Sequence, residues 1–442
     1  MTTPRYKTIA DQLAENIRSG RLRPGTQLPT VRALMSEHGI ALATAARVYR
    51  TLESMGLVVG ETGRGTFVRD TSLPRDLGLQ PASSAGVIDL TFNSPAVPGQ
   101  AELLRQALRS IALSGDLDAL LHSAPHGGRT HEREIAAKHL RNRGVRVPGS
   151  QVLIVNGAQQ GLALALTAQL KPGDVLAVDA LTYPGIKALA VAHHLELVPI
   201  PLIDGKTGLD ALAASCRRRP VRAFYTMPTL HNPLGSIMPA ADRQRLVALA
   251  EEHDFALIED GAYAFLAEPA PKPLFMLAPD RTIYVCGLSK SVASGLRIGF
   301  IAAPVALIPA LEQAVRASTW SSPSITVELA CRWIEDGVVD ELEALKRKDA
   351  AMRQQLARRI FDGINLIAHP NAYFLWLPLP EDMRAESVAA ALRRDNIMVT
   401  TAKPFSAASN APNALRVALG SVPVATLELA LKKVRTACGY QD

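Results

Sequence analysis

The sequence predicts a multidomain chain, in which a small α+β domain of three helices and a hairpin precedes a larger α/β domain. Three observations support this fold class. Helical periodicity ending in a Gly-rich turn fills residues 1–70, a stretch rich in Pro, Ser and Gly occupies residues 71–87, and apolar strands alternate with helices in residues 88–442. A chain of 442 residues is also long enough for more than one domain.

The composition is that of an ordinary globular protein, with 48% hydrophobic and 20% charged residues. These values exclude a mostly disordered or collagen-like chain. The four cysteines are far apart and form no Cys-x-x-Cys pair, so neither a disulfide framework nor a metal site is expected. No apolar run reaches the roughly 18 residues of a membrane-spanning helix, and the N-terminus has no apolar signal region. We therefore expect a cytoplasmic protein without a membrane partner.

The positive charge is concentrated near the N-terminus. Residues 1–70 contain ten Lys/Arg and six Asp/Glu, whereas the other 372 residues contain 38 and 35. The small domain is therefore basic and the rest of the chain is nearly neutral. Nucleic acid is a natural partner for a basic domain, although charge alone is weak support.

Three helices and a hairpin are predicted in residues 1–70. The first helix lies within residues 6–19, where apolar residues recur every four positions. Pro29-Thr30 begins the second helix, which ends at Gly39, and residues 42–56 form the third. Val, Thr and Phe on both sides of the turn at residues 62–65 indicate a hairpin. Two helices joined by a tight turn and followed by a hairpin form a winged helix-turn-helix.

This arrangement favours binding to double-stranded DNA. The second helix of the motif fits the major groove and presents its N-terminal residues to base edges. Arg47 and Arg50 can contact phosphates, and Arg64 at the hairpin tip can enter a minor groove. The alternative is a small protein-interaction module with solvated arginines.

The segments IRSGRLRPGTQLPTVRAL and GLVVGETGRGTFV resemble the GntR-type winged helix over nearly all of residues 5–69. The resemblance implies that Arg32 contacts the DNA backbone and that the GRG wing, with Arg64, enters the minor groove. The sequence departs from the family at the start of the third helix. Ala41-Leu42-Ala43-Thr44 stands where many relatives carry a polar Ser-Arg pair. Thr44 and Arg47 are therefore the better candidates for contacting bases.

Residues 88–442 alternate buried-strand patterns with helical patterns. The strand patterns are VLIVNG, VLAVD, LELVPI, AFYTMP, FALIED, TIYVCG and RIGFIAA. Continuous apolar strands separated by helices predict a mostly parallel sheet with helices on both faces. Ligands of such sheets bind at the carboxyl ends of the strands.

Four polar motifs follow predicted strands in this domain. Gly157-Ala158-Gln159 forms a turn at a helix start, where backbone N–H groups suit a phosphate. Asn232 precedes a proline in a turn, and Asp260 ends a strand three residues before Tyr263. The last motif is Ser289-Lys290, with Arg297 seven residues after the lysine. A lysine beside a buried strand can act as a nucleophile, and an arginine can hold a phosphate. Each motif alone also has an ordinary structural explanation.

Together and in this order, the four motifs resemble the pyridoxal-phosphate enzymes of fold type I, the aspartate-aminotransferase family, over about residues 88–442. The resemblance implies a smaller C-terminal α/β subdomain and pyridoxal 5'-phosphate as the cofactor. It also implies a role for each motif residue. Lys290 would form the aldimine, Asp260 would pair with the pyridine nitrogen, and Tyr263 and Asn232 would bond the phenolate oxygen.

The same resemblance assigns the remaining site residues. Ala158, Gln159, Ser289 and Arg297 would hold the phosphate. Tyr183 matches the aromatic residue that stacks on the ring, and Arg416 matches the arginine that binds a substrate carboxylate. His122 falls where the family has a tyrosine that reaches the partner subunit's phosphate.

A GntR-type winged helix followed by an aminotransferase-like domain resembles the MocR subfamily of bacterial transcription regulators. The resemblance implies a homodimer with heads exchanged between subunits, regulated by pyridoxal phosphate or by an amino compound. The effector candidates are the cofactor itself, an amino acid and an ω-amino acid or other non-α amine. One alternative is an active aminotransferase with an accessory DNA-binding head. Another is a repressor whose second domain is only a dimerisation scaffold.

Overall fold

The computed structural model describes residues 5–19, 21–22, 26–55, 57–61, 65–68 and 86–440. The chain divides into two compact units, residues 1–77 and residues 78–442. The predicted domain limits at residues 70 and 88 remain predictions, because residues 69–85 lie outside the described part of the chain.

The N-terminal unit contains the three expected helices, α1 (Arg5–Arg18), α2 (Val31–His38) and α3 (Leu42–Ser54). Thr30 caps α2 by accepting a hydrogen bond from the backbone N–H of Ala33, and Gly39 ends it in the left-handed conformation. The apolar faces of the helices meet in one core, which includes Ala10, Leu34 and Leu52. The predicted helix-turn-helix is therefore present.

A two-stranded antiparallel hairpin completes this unit. It consists of β1 (Val58–Glu61) and β2 (Gly65–Val68), with Val58 opposite Val68 and Glu61 opposite Gly65. The buried side chains of Val58 and Val68 join the helical core. Arg64, the predicted wing residue, lies outside the described residues.

The larger unit contains helices and strands throughout residues 86–440. Its α-helices are α4 (Gln100–Ser114), α5 (Leu117–Leu121), α6 (Thr130–Leu140), α7 (Ala158–Gln169), α8 (Pro184–Ala192), α9 (Leu209–Arg218), α10 (Ala240–Glu252), α11 (Leu288–Ser291), α12 (Ile308–Ser318), α13 (Ser324–Glu335), α14 (Val338–Ile360), α15 (Ala385–Arg394) and α16 (Val424–Ala437). Its strands are β3 (Ile88–Asp89), β4 (Val152–Val155), β5 (Val175–Asp179), β6 (Glu196–Ile200), β7 (Leu202–Ile203), β8 (Lys206–Thr207), β9 (Val221–Thr226), β10 (Ala256–Asp260), β11 (Thr282–Gly287), β12 (Gly299–Ala302), β13 (Phe374–Pro378), β14 (Ile397–Met398), β15 (Thr400–Thr401) and β16 (Ala414–Ala418).

The seven strands expected from the sequence form one sheet in the order β4-β12-β11-β10-β9-β5-β6. The neighbours β11, β10, β9, β5 and β6 pair in parallel, and β12 runs antiparallel to both β4 and β11. Residues of β4, β5, β10 and β11 are almost all buried, as expected for a sheet covered on both faces. The predicted fold class is confirmed.

A smaller layer forms the C-terminal part of this unit. Strands β13, β16 and β15 make an antiparallel sheet, and β14 pairs with β3 near the start of the unit. Apolar side chains of α14, α15 and α16 pack on this layer in a separate core. Residues 91–93 follow β3, and the pairing of β3 with β14 places them beside the carboxyl ends of β10 and β11 in the large sheet. Among the residues described, no helix combines the length and apolar composition that crossing a membrane requires.

Candidate functional site

A cavity of about 140 Å³ in the larger unit brings together all the residues that the motifs of this unit predicted. It lies at the carboxyl ends of β10 and β11, beside the start of α7. The predicted residues that line it are Ala158, Gln159, Tyr183, Asn232, Asp260, Tyr263, Ser289, Lys290, Arg297 and Arg416. Residues separated by more than 250 positions thus meet in one site.

Lys290 is held inside the cavity by the short helix α11. Its Nζ donates a hydrogen bond of 2.5 Å to the backbone oxygen of Asn93 and lies 4.0 Å from the centre of the Phe92 ring. Burial first, and then the positive charges of Arg416, Arg297 and Lys346, lower the pKa of Lys290 to about 7. Near neutral pH, a large fraction of the amine is therefore unprotonated.

Lys346 supports this lysine from behind and was missed in the sequence. Its side chain on α14 is fully buried, and its Nζ donates hydrogen bonds to the backbone oxygens of Lys290, at 3.3 Å, and of Val292. Burial lowers the pKa of Lys346 to about 8, and the nearby carboxylates Glu343 and Asp349 oppose that effect. Lys346 thus fixes the backbone on which Lys290 sits and adds positive charge beside it.

Asp260 ends β10 with a buried carboxylate. Its Oδ2 accepts a 2.8 Å hydrogen bond from the hydroxyl of Tyr225, and its Oδ1 accepts a 2.9 Å bond from the backbone N–H of Ala262. Neither partner carries a positive charge. Burial raises the pKa of Asp260 to about 6, although both hydrogen bonds lower it. Such a carboxylate is well suited to receive a cation in the cavity.

Tyr263 and Asn232 occupy the wall next to Asp260, and both are buried. The Tyr263 hydroxyl accepts a weak 3.5 Å hydrogen bond from the side chain of Asn93. The side-chain oxygen of Asn232 is buried without a hydrogen-bond partner among the described residues. Tyr183 also lines the cavity. Burial raises the pKa of its hydroxyl, and the neighbouring carboxylate of Asp260 contributes to the increase, so the hydroxyl stays protonated.

A polar cradle lies between the start of α7 and the turn after α11. Nη1 of Arg297 donates a 3.1 Å hydrogen bond to the hydroxyl of Ser289, and Nη2 donates one to the backbone oxygen of Asn156 at 3.1 Å. Gly157 caps the start of α7 at a positive φ of 82°, and a Cβ atom there would lie 2.6 Å from Nη2 of Arg297. The positive φ favours glycine here, and the missing side chain lets the Arg297 guanidinium approach the backbone. The cradle combines an arginine, a hydroxyl and a helix start, which together suit a phosphate.

Arg416 lies on β16 and is 2% exposed. Its Nη1 donates a 2.9 Å hydrogen bond to the backbone oxygen of Thr91, and the guanidinium lies 4.9 Å from the Phe374 ring centre. Its Nε has no hydrogen-bond partner among the described residues. Because Arg416 lines the cavity, its guanidinium can bind an anion that enters there.

Sequence reasoning missed Asn93 and Tyr225 as well as Lys346. Asn93 contacts both Lys290 and Tyr263 from a segment almost 200 residues before the lysine. Tyr225 was visible only as one apolar residue of a strand pattern. His122 is exposed and does not line the cavity of its own chain.

Four of the five predicted DNA-contacting residues lie in the described part of the N-terminal unit. Arg32, Arg47 and Arg50 are exposed, and Thr44 is half-buried near the start of α3. The Arg47 guanidinium lies over the Tyr6 ring, 4.1 Å from its centre.

Both units of the chain match known protein families. Residues 85–434 match the family described as aminotransferase class I and II. The chain belongs to this aminotransferase family. Residues 5–68 match the bacterial regulatory proteins of the gntR family. The chain therefore joins a GntR-type helix-turn-helix domain to an aminotransferase class I/II domain, which is the MocR arrangement, and the predicted resemblance is confirmed.

Two relatives are similar to this chain over both of its units. The protein named uncharacterized HTH-type transcriptional regulator YjiR, of Escherichia coli (strain K12), is 29% identical over an alignment 465 positions long, which covers 98% of each chain. YdeF of Bacillus subtilis (strain 168), also named an HTH-type transcriptional regulator, is 27% identical over 94% of this chain and 90% of its own. A crystal structure of an archaeal alanine:glyoxylate aminotransferase covers 80% of this chain and 91% of its own, with a TM-score of 0.74 and 22% identity. This last similarity shows a shared fold.

Proposed function

We propose that this protein is a pyridoxal 5'-phosphate-dependent transcription regulator, which binds double-stranded DNA with its N-terminal unit and senses the cofactor or an amino compound in its larger unit. The observation that carries the proposal is the presence, in one chain, of a GntR-type unit and an aminotransferase cavity containing a lysine, a buried aspartate and a buried arginine. The two regulators named above support it, because their similarity extends over both units.

The residues of the cavity fit pyridoxal 5'-phosphate. The polar cradle of Ser289, Arg297 and the start of α7 suits its phosphate group. Among the described residues the Asp260 carboxylate has only neutral hydrogen-bond partners, and it would pair with the protonated ring nitrogen. Unpartnered buried oxygens of Asn232 and Gln159 provide further polar atoms at the cavity wall. Tyr183 would stack on the ring and Tyr263 would contact its phenolate oxygen.

When bound, pyridoxal 5'-phosphate supplies a carbonyl carbon that reacts with amines and a ring that withdraws electrons. The protein's own contribution begins at Nζ of Lys290, which is mostly unprotonated above about pH 7 and can then act as a nucleophile. Asp260 stays ionised at that pH and would keep a proton on the ring nitrogen. Lys346 keeps the backbone of Lys290 in place while its side chain reacts.

Arg416 would bind the carboxylate of an amino compound. Its guanidinium lines the cavity, and burial strengthens a charge-assisted hydrogen bond at this position. This favours an amino acid or an ω-amino acid over a simple amine as the effector.

We also propose that the protein is a homodimer with heads exchanged between subunits, as in the family it resembles. Leu113 and Leu121 are 88% and 84% exposed on the consecutive helices α4 and α5, and Leu117 is 49% exposed. Large exposed leucines in one region are typical of a surface that another chain covers. His122 follows α5, and a second subunit packed on this region would meet its side chain.

The second candidate function is an active aminotransferase with an accessory DNA-binding head. Lys290, Asp260 and Arg416 line one cavity, and the lowered pKa of Lys290 favours reaction with amines. This machinery is compatible with turnover as well as with sensing.

One experiment separates the two functions. The cofactor-loaded protein is incubated with α-amino acids, ω-amino acids and amines without a carboxylate, each together with a second keto acid that accepts the amino group and so permits repeated turnover, while the visible spectrum, release of the product keto acid and affinity for DNA are recorded. A regulator should change its spectrum and its DNA affinity without releasing keto acid over many turnovers. Sustained keto-acid release with unchanged DNA affinity would instead establish the aminotransferase function.

A further inference from the structure

The first turn of α3 presents an exposed apolar surface in the basic N-terminal unit. Ala41, Leu42 and Ala43 are all exposed, and Leu42 is 59% exposed. The later apolar residues of α3, such as Val48 and Leu52, are fully buried in the core of the unit. Leu42 therefore precedes the buried face of the helix and contributes little to folding.

Polar side chains near this turn are less available for contacts with bases. Thr44 is half-buried, and the Arg47 guanidinium lies over the Tyr6 ring. Ala41, which stands at the cap position of α3, makes no side-chain capping hydrogen bond. The exposed side chains at the start of the helix thus offer methyl and methylene groups instead of hydrogen-bonding groups.

We propose that Leu42, flanked by Ala41 and Ala43, recognises thymine methyl groups in the major groove and so sets the base preference of this protein. This inference rests on the proposed DNA-binding function. The N-terminal residues of the second helix in a helix-turn-helix meet base edges. Thymine is distinguished in the major groove by its 5-methyl group, which apolar side chains contact.

The charges around this turn favour DNA over an apolar protein partner. Arg32 on α2 and Arg50 on α3 are exposed in the same unit. Exposed arginines in the same unit as an exposed apolar helix start match a ligand with phosphates outside and methyl groups within its groove. The leucine replaces a polar residue of many GntR-type relatives, so the preference belongs to this chain and not to the family in general.

The test begins with selection of duplexes from a random-sequence library by the full-length, cofactor-loaded protein. The selected duplex is then resynthesised with deoxyuridine in place of one thymidine at a time, which removes only the 5-methyl group. At one or two thymines in each half-site, this change should weaken binding about fourfold, the value of one buried methyl-sized group. Replacement at other thymines should have no effect.

The variants Leu42→Ala and Leu429→Ala then assign the effect to a residue. Leu42→Ala should bind the thymine and uracil duplexes equally. Leu429, on α16 in the larger unit, is a matched control because it is 64% exposed and far along the chain, and its variant should keep the discrimination. The thermal unfolding midpoint of Leu42→Ala should match that of the unchanged protein, because the side chain is exposed.

The outcomes are distinguishable. Failure to enrich any duplex would contradict the proposed DNA-binding function itself. Enrichment without discrimination between thymine and uracil would overturn only the present inference. If Leu42→Ala weakens binding to both duplexes by the same factor, so that the ratio of the two affinities is unchanged, the inference is also overturned. The same holds if Leu42→Ala changes the oligomeric state and leaves that ratio intact, and Leu42 is then assigned to a structural contact.

Discussion

The cavity of the larger unit and the first turn of α3 use opposite kinds of side chain. The cavity holds charged groups in a largely buried setting, where hydrogen bonds with Asn93, Tyr225 and Lys346 fix them or their backbone. The first turn of α3 instead exposes Leu42 to solvent. Buried charges are costly unless they are paired or have a function, so their chemistry is tightly constrained. An exposed leucine has no such constraint, and its purpose emerges only when a partner is considered.

Lys290→Ala should have the largest effect, because it removes the amine that would bond the cofactor. We expect complete loss of the visible absorbance of the lysine-bound cofactor, while the protein stays folded. Borohydride treatment and mass spectrometry of peptides provide the measurement. Retention of a cofactor-modified peptide that contains Lys346 would show that the wrong lysine was assigned.

Asp260→Asn should weaken cofactor binding by about tenfold or more, because a charge-assisted hydrogen bond to the ring nitrogen is lost. Glu259→Gln is the matched control. Glu259 is the preceding residue of β10 and is equally buried, but it accepts a hydrogen bond from the backbone N–H of Phe275 and does not line the cavity. Equilibrium titration with pyridoxal phosphate measures both variants. Equal affinities for the two would remove the role proposed for Asp260.

The rate at which cofactor-free protein bonds pyridoxal phosphate should depend on the ionisation of Lys290. Only the neutral amine reacts, so the rate should rise with pH, with a midpoint near the pKa of about 7, and then level off. An ordinary lysine would give a midpoint several units higher. The growth of the visible band over time, recorded across a pH series, measures this midpoint.

Lys346→Met should move this midpoint to higher pH, because it removes a positive charge that lowers the pKa of Lys290. Lys346→Arg, which keeps the charge, should leave the midpoint closer to that of the unchanged protein. A purely structural role for Lys346 predicts lower stability in Lys346→Met with an unchanged midpoint. The same pH series, together with thermal unfolding, distinguishes these results.

Arg32→Ala, in the N-terminal unit, should have a smaller effect, which is a loss of DNA affinity that does not depend on the DNA sequence. Loss of one phosphate contact should weaken binding to all DNA sequences alike and lower the slope of log affinity against log salt by about one. A salt titration with the selected duplex and with a scrambled duplex checks both statements. A loss confined to the selected duplex would instead indicate a base contact.

The sequence predicted the fold and most of the cavity because strand ends and short motifs coincide in this family. Asp260 ends an apolar strand and Lys290 follows another, and both strands are recognisable without a structure. Lys346 was not predictable, because it lies among several charged residues of a long helix and only its burial distinguishes it. Asn93 was missed because its contact with Lys290 depends on how β3 joins the C-terminal layer.

In the N-terminal unit, the contacts between helices are what the sequence could not predict. Helix periodicity predicted its three helices, and their bounds agree closely with the expected ones. The packing of Arg47 on Tyr6 joins residues of two helices, and periodicity within one helix contains no information about it. The exposure of Leu42 likewise depends on how far the core of the unit extends along α3.

The central claim is that the cavity and the DNA-binding unit are coupled, and reciprocal binding measures it most directly. The affinity of the cofactor-loaded protein for its selected duplex is determined with and without an amino compound that changes the visible spectrum. The affinity for that compound is then determined with and without the duplex. The account predicts that both ratios are equal and differ from one by about 5- to 150-fold, the usual range of allosteric coupling. Ratios of one for every compound that binds in the cavity would contradict it.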